Sequence, residues 1–361
     1  MKDNGILPLS FLASPIRRAL LLLGSLLVAG ALAGCSEPVR QRKNVKDLTP
    51  QEKQDYVDAV LKLKSTPSPY DSQLSWYDQF VTFHKQVYHY RRKDKQNEDK
   101  EYQVGHLSPS FLPWHRKFLL MYEQALREVS GKDISLPYWD WTDEASTHAV
   151  FSEDFMGRGG DTKEGHAVLQ GPFRKGVWEV KVFSMDEKTK EELKIPYLVR
   201  STLEMHDAPM LPTTADMDAC LKVSAYDEAP WDDKADSSRS FRSCLEGWGH
   251  SSPDHMHNAA HIWVGGIYDS GPIPMGSMAA LDTSPNDPAF FLHHANVDRL
   301  WALWEQRHGN SYVPNGEGNP GWNPEDSLYP FDEHPDDSRV KMSGNTVGDM
   351  IDLSRLDYEY R

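Results

Sequence analysis

A chain of 361 residues is long enough for one large or two ordinary domains, and 11 Trp within 11% aromatics supply a substantial core. Lys and Arg number 39 against 54 Asp and Glu, a formal net charge of -15 at pH 7. An acidic surface of that size repels phosphate backbones, which argues against a nucleic-acid partner.

The first stretch does not read as part of the fold. Met1 to Gly34 carries Arg17-Arg18 and then the apolar run Ala19 to Ala33, the order of an export signal, and the run is short for a spanning helix. Leu32-Ala33-Gly34-Cys35 resembles the bacterial lipobox, which predicts a lipid on Cys35 as the new N-terminus; the alternative is an ordinary secretory signal with a chance Cys. Arg17-Arg18 also loosely resembles a twin-arginine signal, which exports a folded, metal-loaded protein. Removing residues 1–34 removes Lys2, Arg17, Arg18 and Asp3 and takes the net charge from -15 to -17. The expected location is exported and lipid-anchored, on the periplasmic or extracellular face of a bacterial membrane. With Cys35 carrying lipid, Cys220 and Cys244 form either a disulfide, which export permits, or two buried thiols.

Residues 35–48 are polar and aperiodic and are expected as the lipidated Cys and a tether, with the domain proper over 49–361. Thr49-Pro50-Gln51-Glu52 is a capping box with Pro at the first helical position. The next helix is predicted from Leu74 to Tyr90, with His84 in the middle of its apolar stripe. Alone, His84 reads as a core histidine bonded to a backbone carbonyl, because an unpaired buried polar group costs about 1–3 kcal/mol. His89 reads as surface. After a charged loop, Gly105 and Pro109 keep His106 out of regular structure, and a third helix opens at Leu112-Pro113 with His115 on its inner face. Leu136 to Trp141 is an aromatic turn that reads as packing. Thr142 to Arg242 is rich in Gly, Pro and charge, with short strands predicted near Val177–Phe183 and Pro196–Arg200; His148, His166 and His206 read as surface or loop residues.

Asp254 to His308 is denser in chemistry. His257 and His261 stand four residues apart, which on a helix stacks two imidazoles on one face. A further helix from Asp287-Pro288 carries His293-His294 among aromatics. Together with His84, His106 and His115 these make two sets of three neutral imidazoles. Imidazole suits Zn, Cu, Fe or Ni, so ligand type alone does not name the metal. The lack of a carboxylate or thiolate in the sets narrows it: neutral ligands make cuprous copper accessible, and two facing ions could bind O2 between them.

These segments resemble the type 3 copper proteins, and within them the bacterial tyrosinases. The resemblance is carried by Tyr77 to His84, Gly105 to Arg116, Leu136 to Trp141, His257 to Gly266 and Ser284 to Trp304, and it covers nearly everything from Thr49 onward. It implies a mainly α fold, a four-helix bundle holding a dinuclear copper site, with long loops and a few short strands. His84, His106 and His115 would hold one copper ion, and His257, His261 and His294, the second of the paired histidines, the other. Glu246 and Asn258 match the pair that holds a water able to take the phenol proton in members that hydroxylate monophenols. Ser284 stands where some relatives place a bulky aromatic, so an open substrate path is expected. Asp298, one turn beyond His294, is expected to accept from a ligand's ring nitrogen, and Phe290 to line the site. The implied reaction is ortho-hydroxylation of monophenols and oxidation of o-diphenols to o-quinones by O2. The rivals are a catechol or o-aminophenol oxidase without monophenolase activity, an oxygen carrier, and a zinc hydrolase or structural protein. A melanin-type pigment is one expected product, and a copper-loading helper protein is allowed by the resemblance. No Cys precedes His106, so a thioether link is not expected. Tyr358-Glu359-Tyr360 resembles the motif that closes the family's catalytic domain, so a C-terminal lid domain is not expected either.

Overall fold

The capping box at Thr49 forms as its residues predict. The Thr49 side chain accepts from the Glu52 N–H, and Glu52 accepts from the Thr49 N–H at 2.8 Å, so the exposed donors at the start of α1 (Pro50–Ser65) are satisfied. The structure is a computed structural model describing residues 39–93, 99–186, 189–204, 211–248, 256–268, 273–315 and 321–361, without the side chain of Met342. The export signal, Cys35 and His206 lie outside the described residues.

Four helices carry the histidines or frame them: α2 (Trp76–His89), α3 (Phe111–Ser130), α7 (Met256–Gly265) and α8 (Ala289–His308). The shorter helices α4 (Glu144–Val150), α5 (Thr214–Lys222), α6 (Phe241–Glu246) and α9 (Ser338–Met342) sit within the long connections. α2 begins two residues later than its apolar stripe suggests, because the Ser75 side chain accepts from the Asp78 N–H and caps it. α3 packs on α1 and α8, α7 packs on α8, and α2 lies against the 3-10 segment Leu281–Asn286. Phe80, Phe118, Tyr122, Phe290 and Phe291 fill the space between α2, α3 and α8, with Tyr122 and Phe291 stacked 3.4 Å apart. The architecture is mainly helical, as expected.

Two expectations fail. Residues 35–38 of the expected tether lie outside the described residues; the rest is built into the fold, with Arg40–Arg42 as strand β1, parallel to β4 (Tyr358–Tyr360), and Val45–Asp47 a 3-10 turn whose Val45 N–H bonds Tyr138 O at 3.0 Å. Polar composition misled here because Arg42, fully buried, is matched by buried carboxylates: Glu123 accepts from its Nε at 3.2 Å and Nη2 at 3.1 Å, and Asp298 from its Nη1 at 3.2 Å. The strands predicted at Val177–Phe183 and Pro196–Arg200 do not form. Val180 N–H bonds Pro196 O at 3.1 Å, and Val199 makes only an isolated antiparallel bridge with Ala167, flanked by Val168 N–H to Leu198 O at 3.0 Å and Arg200 N–H to His166 O at 3.1 Å; Pro196 has no N–H to extend a ladder. The only other strand pair among the described residues is β2 (Arg92–Lys93) with β3 (Glu101–Tyr102).

Cys220 on α5 and Cys244 on α6 form a disulfide, which settles the alternative left open by the sequence.

Candidate metal centre

His84 projects from the middle of α2, His115 from the second turn of α3, and His106 from the loop between them. That loop can close on α2 because residue 105 is glycine: a Cβ there would meet Val87 Cγ2 at 2.6 Å. His257 and His261 share one face of α7, and His293 and His294 lie on α8. All seven rings are buried, from 0% exposure at His293 to 8% at His106.

The backbone fixes which nitrogen each ring presents. His84 Nδ1 lies 3.0 Å from Asp282 O, His115 Nδ1 2.9 Å from Phe111 O, His257 Nδ1 3.1 Å from Glu246 O, and His261 Nδ1 2.8 Å from Met278 O. A carbonyl only accepts, so in each case Nδ1 carries the proton and Nε2 is left with its lone pair. Those lone pairs converge. His257 Nε2 is 3.2 Å from His294 Nε2, and His261 Nε2 is 3.0 Å and 3.4 Å from the two of them. His106 and His84 bring their Nε2 atoms to 3.2 Å, while His115 Nε2 has no partner among the described residues. Between neutral imidazoles such contacts are repulsive without a cation among them. Three nitrogens each about 2.0–2.1 Å from one ion, at angles of about 95–110°, would stand about 3.0–3.4 Å apart. The residues fit a metal ion in each group.

Electrostatics point the same way. Burial pushes His84 down to about 3 and His261 down to about 4, and burial with the neighbouring imidazoles holds His106, His115, His257 and His294 well below the usual histidine range. Every one is neutral and ready to ligate at pH 7. The two groups touch: His115 stacks on His294 with ring centres 4.2 Å apart and planes 13° apart, and Phe290 stacks on His294 at 4.1 Å with its edge to His84 at 5.1 Å. Phe290 thus packs between the two sets, fully buried and not in the cavity wall.

The paired histidines differ. The second group brings ligand atoms of His257, His261, His293 and His294 within 4.8 Å of one another. His294 Nε2 meets the convergence point, whereas the His293 ring stacks on His257 at 4.9 Å and packs against Trp141 at 5.1 Å. We take His294 as the ligand because its nitrogen, and not that of His293, closes the short triangle.

A cavity opens onto both groups between His84, His106, His257 and His261, with Tyr88, Leu107, Trp248, Asn258, Leu281 and Ser284 around it. Ser284 is small and buried, its hydroxyl donating to Leu281 O at 3.1 Å, so no ring stands there. Among the described residues, Asn258 Oδ1 is buried without a hydrogen-bond partner. Glu246 does not line the cavity. Its Oε1 accepts from the Leu107 N–H at 2.6 Å and its Oε2 from Arg242 Nη1 at 3.2 Å. Burial pushes this carboxyl up to about 7 against the pull of Arg242 and the Leu107 N–H. Leu107 follows His106 with φ +50°, so Glu246 also pins the loop that presents that histidine.

Asp298 corrects its expectation. It bonds no histidine; its carboxylate accepts from Arg116 Nε at 2.6 Å, Tyr358 OH at 2.6 Å and Tyr360 OH at 2.5 Å, besides Arg42. Burial pushes its carboxyl up, but Arg116, Arg42 and the two hydroxyls outweigh that and hold it below the usual range. Two guanidinium groups outcompete a neutral imidazole for one carboxylate. Tyr88, Leu107, Trp248, Leu281 and Arg242 were not singled out from the sequence. Two left a signal there: Arg242, four residues before Glu246, and Tyr88, four residues after His84 on the same apolar stripe.

Two facing sets of three buried imidazoles on a four-helix frame define a dinuclear, all-histidine metal protein. The common central domain of tyrosinase matches residues 74–307. The chain is 40% identical over 279 residues to a tyrosinase of Streptomyces antibioticus, covering 76% of this chain and 86% of that one, and 35% identical over 295 residues to a grixazone synthase of Streptomyces griseus, covering 76% and 88%. A polyphenol oxidase from Thermothelomyces thermophila shares the fold at TM-score 0.58 and 21% identity, over 89% of this chain and 88% of that one. An octopus hemocyanin unit shares it at TM-score 0.53 and 22% identity, over 89% and 68%. The chain belongs to the tyrosinase family, whose members are copper-dependent oxidases of phenols with a dinuclear copper site, and it is an enzyme of that family.

Proposed function

We propose that the chain both hydroxylates monophenols at the ortho position and oxidises o-diphenols to o-quinones, using O2. The convergence of two sets of Nε2 lone pairs beneath one cavity carries this reading. His84, His106 and His115 hold one copper ion and His257, His261 and His294 the other. The copper pair supplies O2 binding and the electron transfer between phenol and O2. The protein's own residues do the rest. Ser284 leaves the approach to the rings open, and Phe290 keeps the floor between the two groups dry. Asn258 lines the cavity, its buried Oδ1 unpaired among the described residues, and Glu246 is a buried carboxyl whose backbone oxygen accepts from the His257 ring. We assign to these two the holding of a water that takes the phenol proton; beside two copper ions the Glu246 carboxyl would stay ionised and could act as a base through that water. The test is the ratio of monophenol to diphenol turnover: Glu246→Gln is expected to lower monophenol turnover at least tenfold more than diphenol turnover. Equal losses on both substrates would assign Glu246 to holding the His106 loop alone.

We further propose that the protein is exported and carries a lipid on Cys35. The basic pair, the apolar run and the Cys stand in the required order, and the Cys220–Cys244 disulfide suits an oxidising compartment. A quinone made there feeds pigment polymerisation of the melanin kind. Copper delivery by a helper protein is part of the same proposal and is tested by whether free copper alone reconstitutes activity.

A further inference from the structure

Glu246 is the carboxyl on which the proposed proton step depends, and one side chain fixes where it points. Arg242 stands one turn earlier on α6, with its guanidinium fully buried. Asp227 meets that guanidinium along one edge: Nε donates to Oδ2 at 2.8 Å and Nη2 to Oδ1 at 3.1 Å, and Nη2 also donates to Asp232 O at 3.0 Å. A two-point contact with a carboxylate fixes the plane of a guanidinium, which a single contact does not. Asp227 is held in turn, accepting from Ser240 Oγ at 2.7 Å and from the Glu228 N–H at 2.8 Å, and the Arg242 N–H bonds Tyr226 O at 2.9 Å. Nη1 is the edge that faces Glu246, whose Oε2 accepts from it at 3.2 Å while Oε1 accepts from the Leu107 N–H at 2.6 Å. The charges do not cancel. Two buried carboxylates share one guanidinium, and Asp227 takes two of its bonds against one for Glu246. A carboxylate has about four acceptor sites, and these bonds occupy one on each Glu246 oxygen.

We propose that Arg242, clamped by Asp227, is the positioning residue for the monophenol step: it aims the Glu246 carboxylate without neutralising it. The inference rests on the proton role proposed for Glu246. An arginine free to turn would close on Glu246 with both prongs and tie the carboxylate up in a two-point ion pair, and Asp227 prevents that by holding the other edge. The aim matters because of what else Glu246 touches. Its carboxylate holds the N–H of Leu107, the residue after His106, and its backbone carbonyl lies 3.1 Å from His257 Nδ1. A turn of the Glu246 side chain therefore moves the base relative to both groups of histidines, while the copper ligands themselves stay in place.

The test uses the full chain loaded with copper, with kcat and KM measured on a monophenol and on the matching o-diphenol and copper counted per chain. Arg242→Gln is expected to lower monophenol kcat about tenfold more than diphenol kcat, with KM little changed. Arg242→Lys keeps the charge but not the fork, and a smaller split of about threefold is expected. Arg242→Gln combined with Glu246→Gln is expected to give the same monophenol-to-diphenol ratio as Glu246→Gln alone, because Arg242 acts only through that carboxylate. Equal losses on both substrates in Arg242→Gln, or a double variant whose ratio falls again by the full Arg242→Gln factor, would overturn the inference. Urea unfolding of the same four metal-free chains reads the contact without turnover: the two substitutions are expected to be non-additive, and additive effects would also overturn it. If Arg242→Gln does not fold, Asp227→Asn takes its place, since the arginine stays and only the clamp goes; a split of about threefold is expected there too. Equal losses in Glu246→Gln would sink the proton role of Glu246, whereas a split in Glu246→Gln with none in the Arg242 and Asp227 variants would sink the positioning role alone.

Discussion

Replacing Asp298 by Asn removes a charge while keeping its shape, and the consequences follow from four bonds. Asp298 is the shared acceptor for Arg116 on α3, Arg42 on β1 and the hydroxyls of Tyr358 and Tyr360 on β4, so it ties both ends of the domain to α8. Arg42 keeps Glu123 and Arg116 keeps Glu305 after the change, but each loses a charged partner in a fully buried place. Breaking one side of a buried ion pair costs about 3–5 kcal/mol. With an unfolding entropy of about 2.1 cal/mol/K per residue, that lowers the melting temperature of a chain of this length by about 4–7 °C. The pH dependence has a definite sign. The folded-state pKa of Asp298 lies below its unfolded value, so its stabilisation is full above the unfolded pKa and is lost as pH falls through the folded one. The gap between wild type and Asp298→Asn is therefore widest near neutrality and closes in strong acid. Thermal unfolding from pH 3 to 7, with copper analysis alongside, checks this. Copper lost at unchanged melting temperature would show that Asp298 supports a ligand and not the clasp.

Other outcomes follow from the same geometry. His294→Ala is expected to hold one copper per chain and His293→Ala two, as measured by metal analysis; the reverse order would exchange their roles. Glu246 has a folded-state pKa raised to about 7, so its contribution to the stability of the metal-free protein declines as pH rises from about 4.5 to about 7. Urea midpoints at pH 5 and pH 8 should show that decline in wild type and a smaller one in Glu246→Gln. Removing both cysteines, as Cys220→Ser with Cys244→Ser, opens a bridge between residues 24 apart and is expected to cost about 3–4 kcal/mol by urea unfolding. Ser284→Phe should raise KM for bulky phenols more than for small ones, since it closes the cavity without touching a ligand.

The helices and the histidine sets were legible in the sequence because their signals are local. A capping box, a four-residue histidine spacing and histidines on apolar stripes are each contained in one element, and the structure brings the six histidines together as the resemblance implied. Relations between distant elements were not legible. Arg40–Arg42 looked like tether because the carboxylates that neutralise Arg42 lie 81 and 256 residues away. Asp298 sat at a spacing that suited a ligand's partner, yet arginines from other elements claimed it. Glu246 was picked out, but its bonds to Leu107 and Arg242, and hence its grip on the His106 loop, depend on a contact across 139 residues. The wall residue Tyr88 shares the apolar stripe of His84, four residues on, but nothing in that spacing tells a cavity wall from core, and Trp248 has no periodic signal.

The central claim is that two copper ions on these six histidines oxidise phenols, including monophenols. Its most direct test is oxygen uptake by the copper-loaded protein on a monophenol and on the matching o-diphenol, with copper counted in the same sample. Two copper ions per chain and uptake on both substrates are predicted. Uptake on the diphenol alone would reduce the enzyme to a catechol oxidase, and reversible O2 binding without turnover would contradict the account.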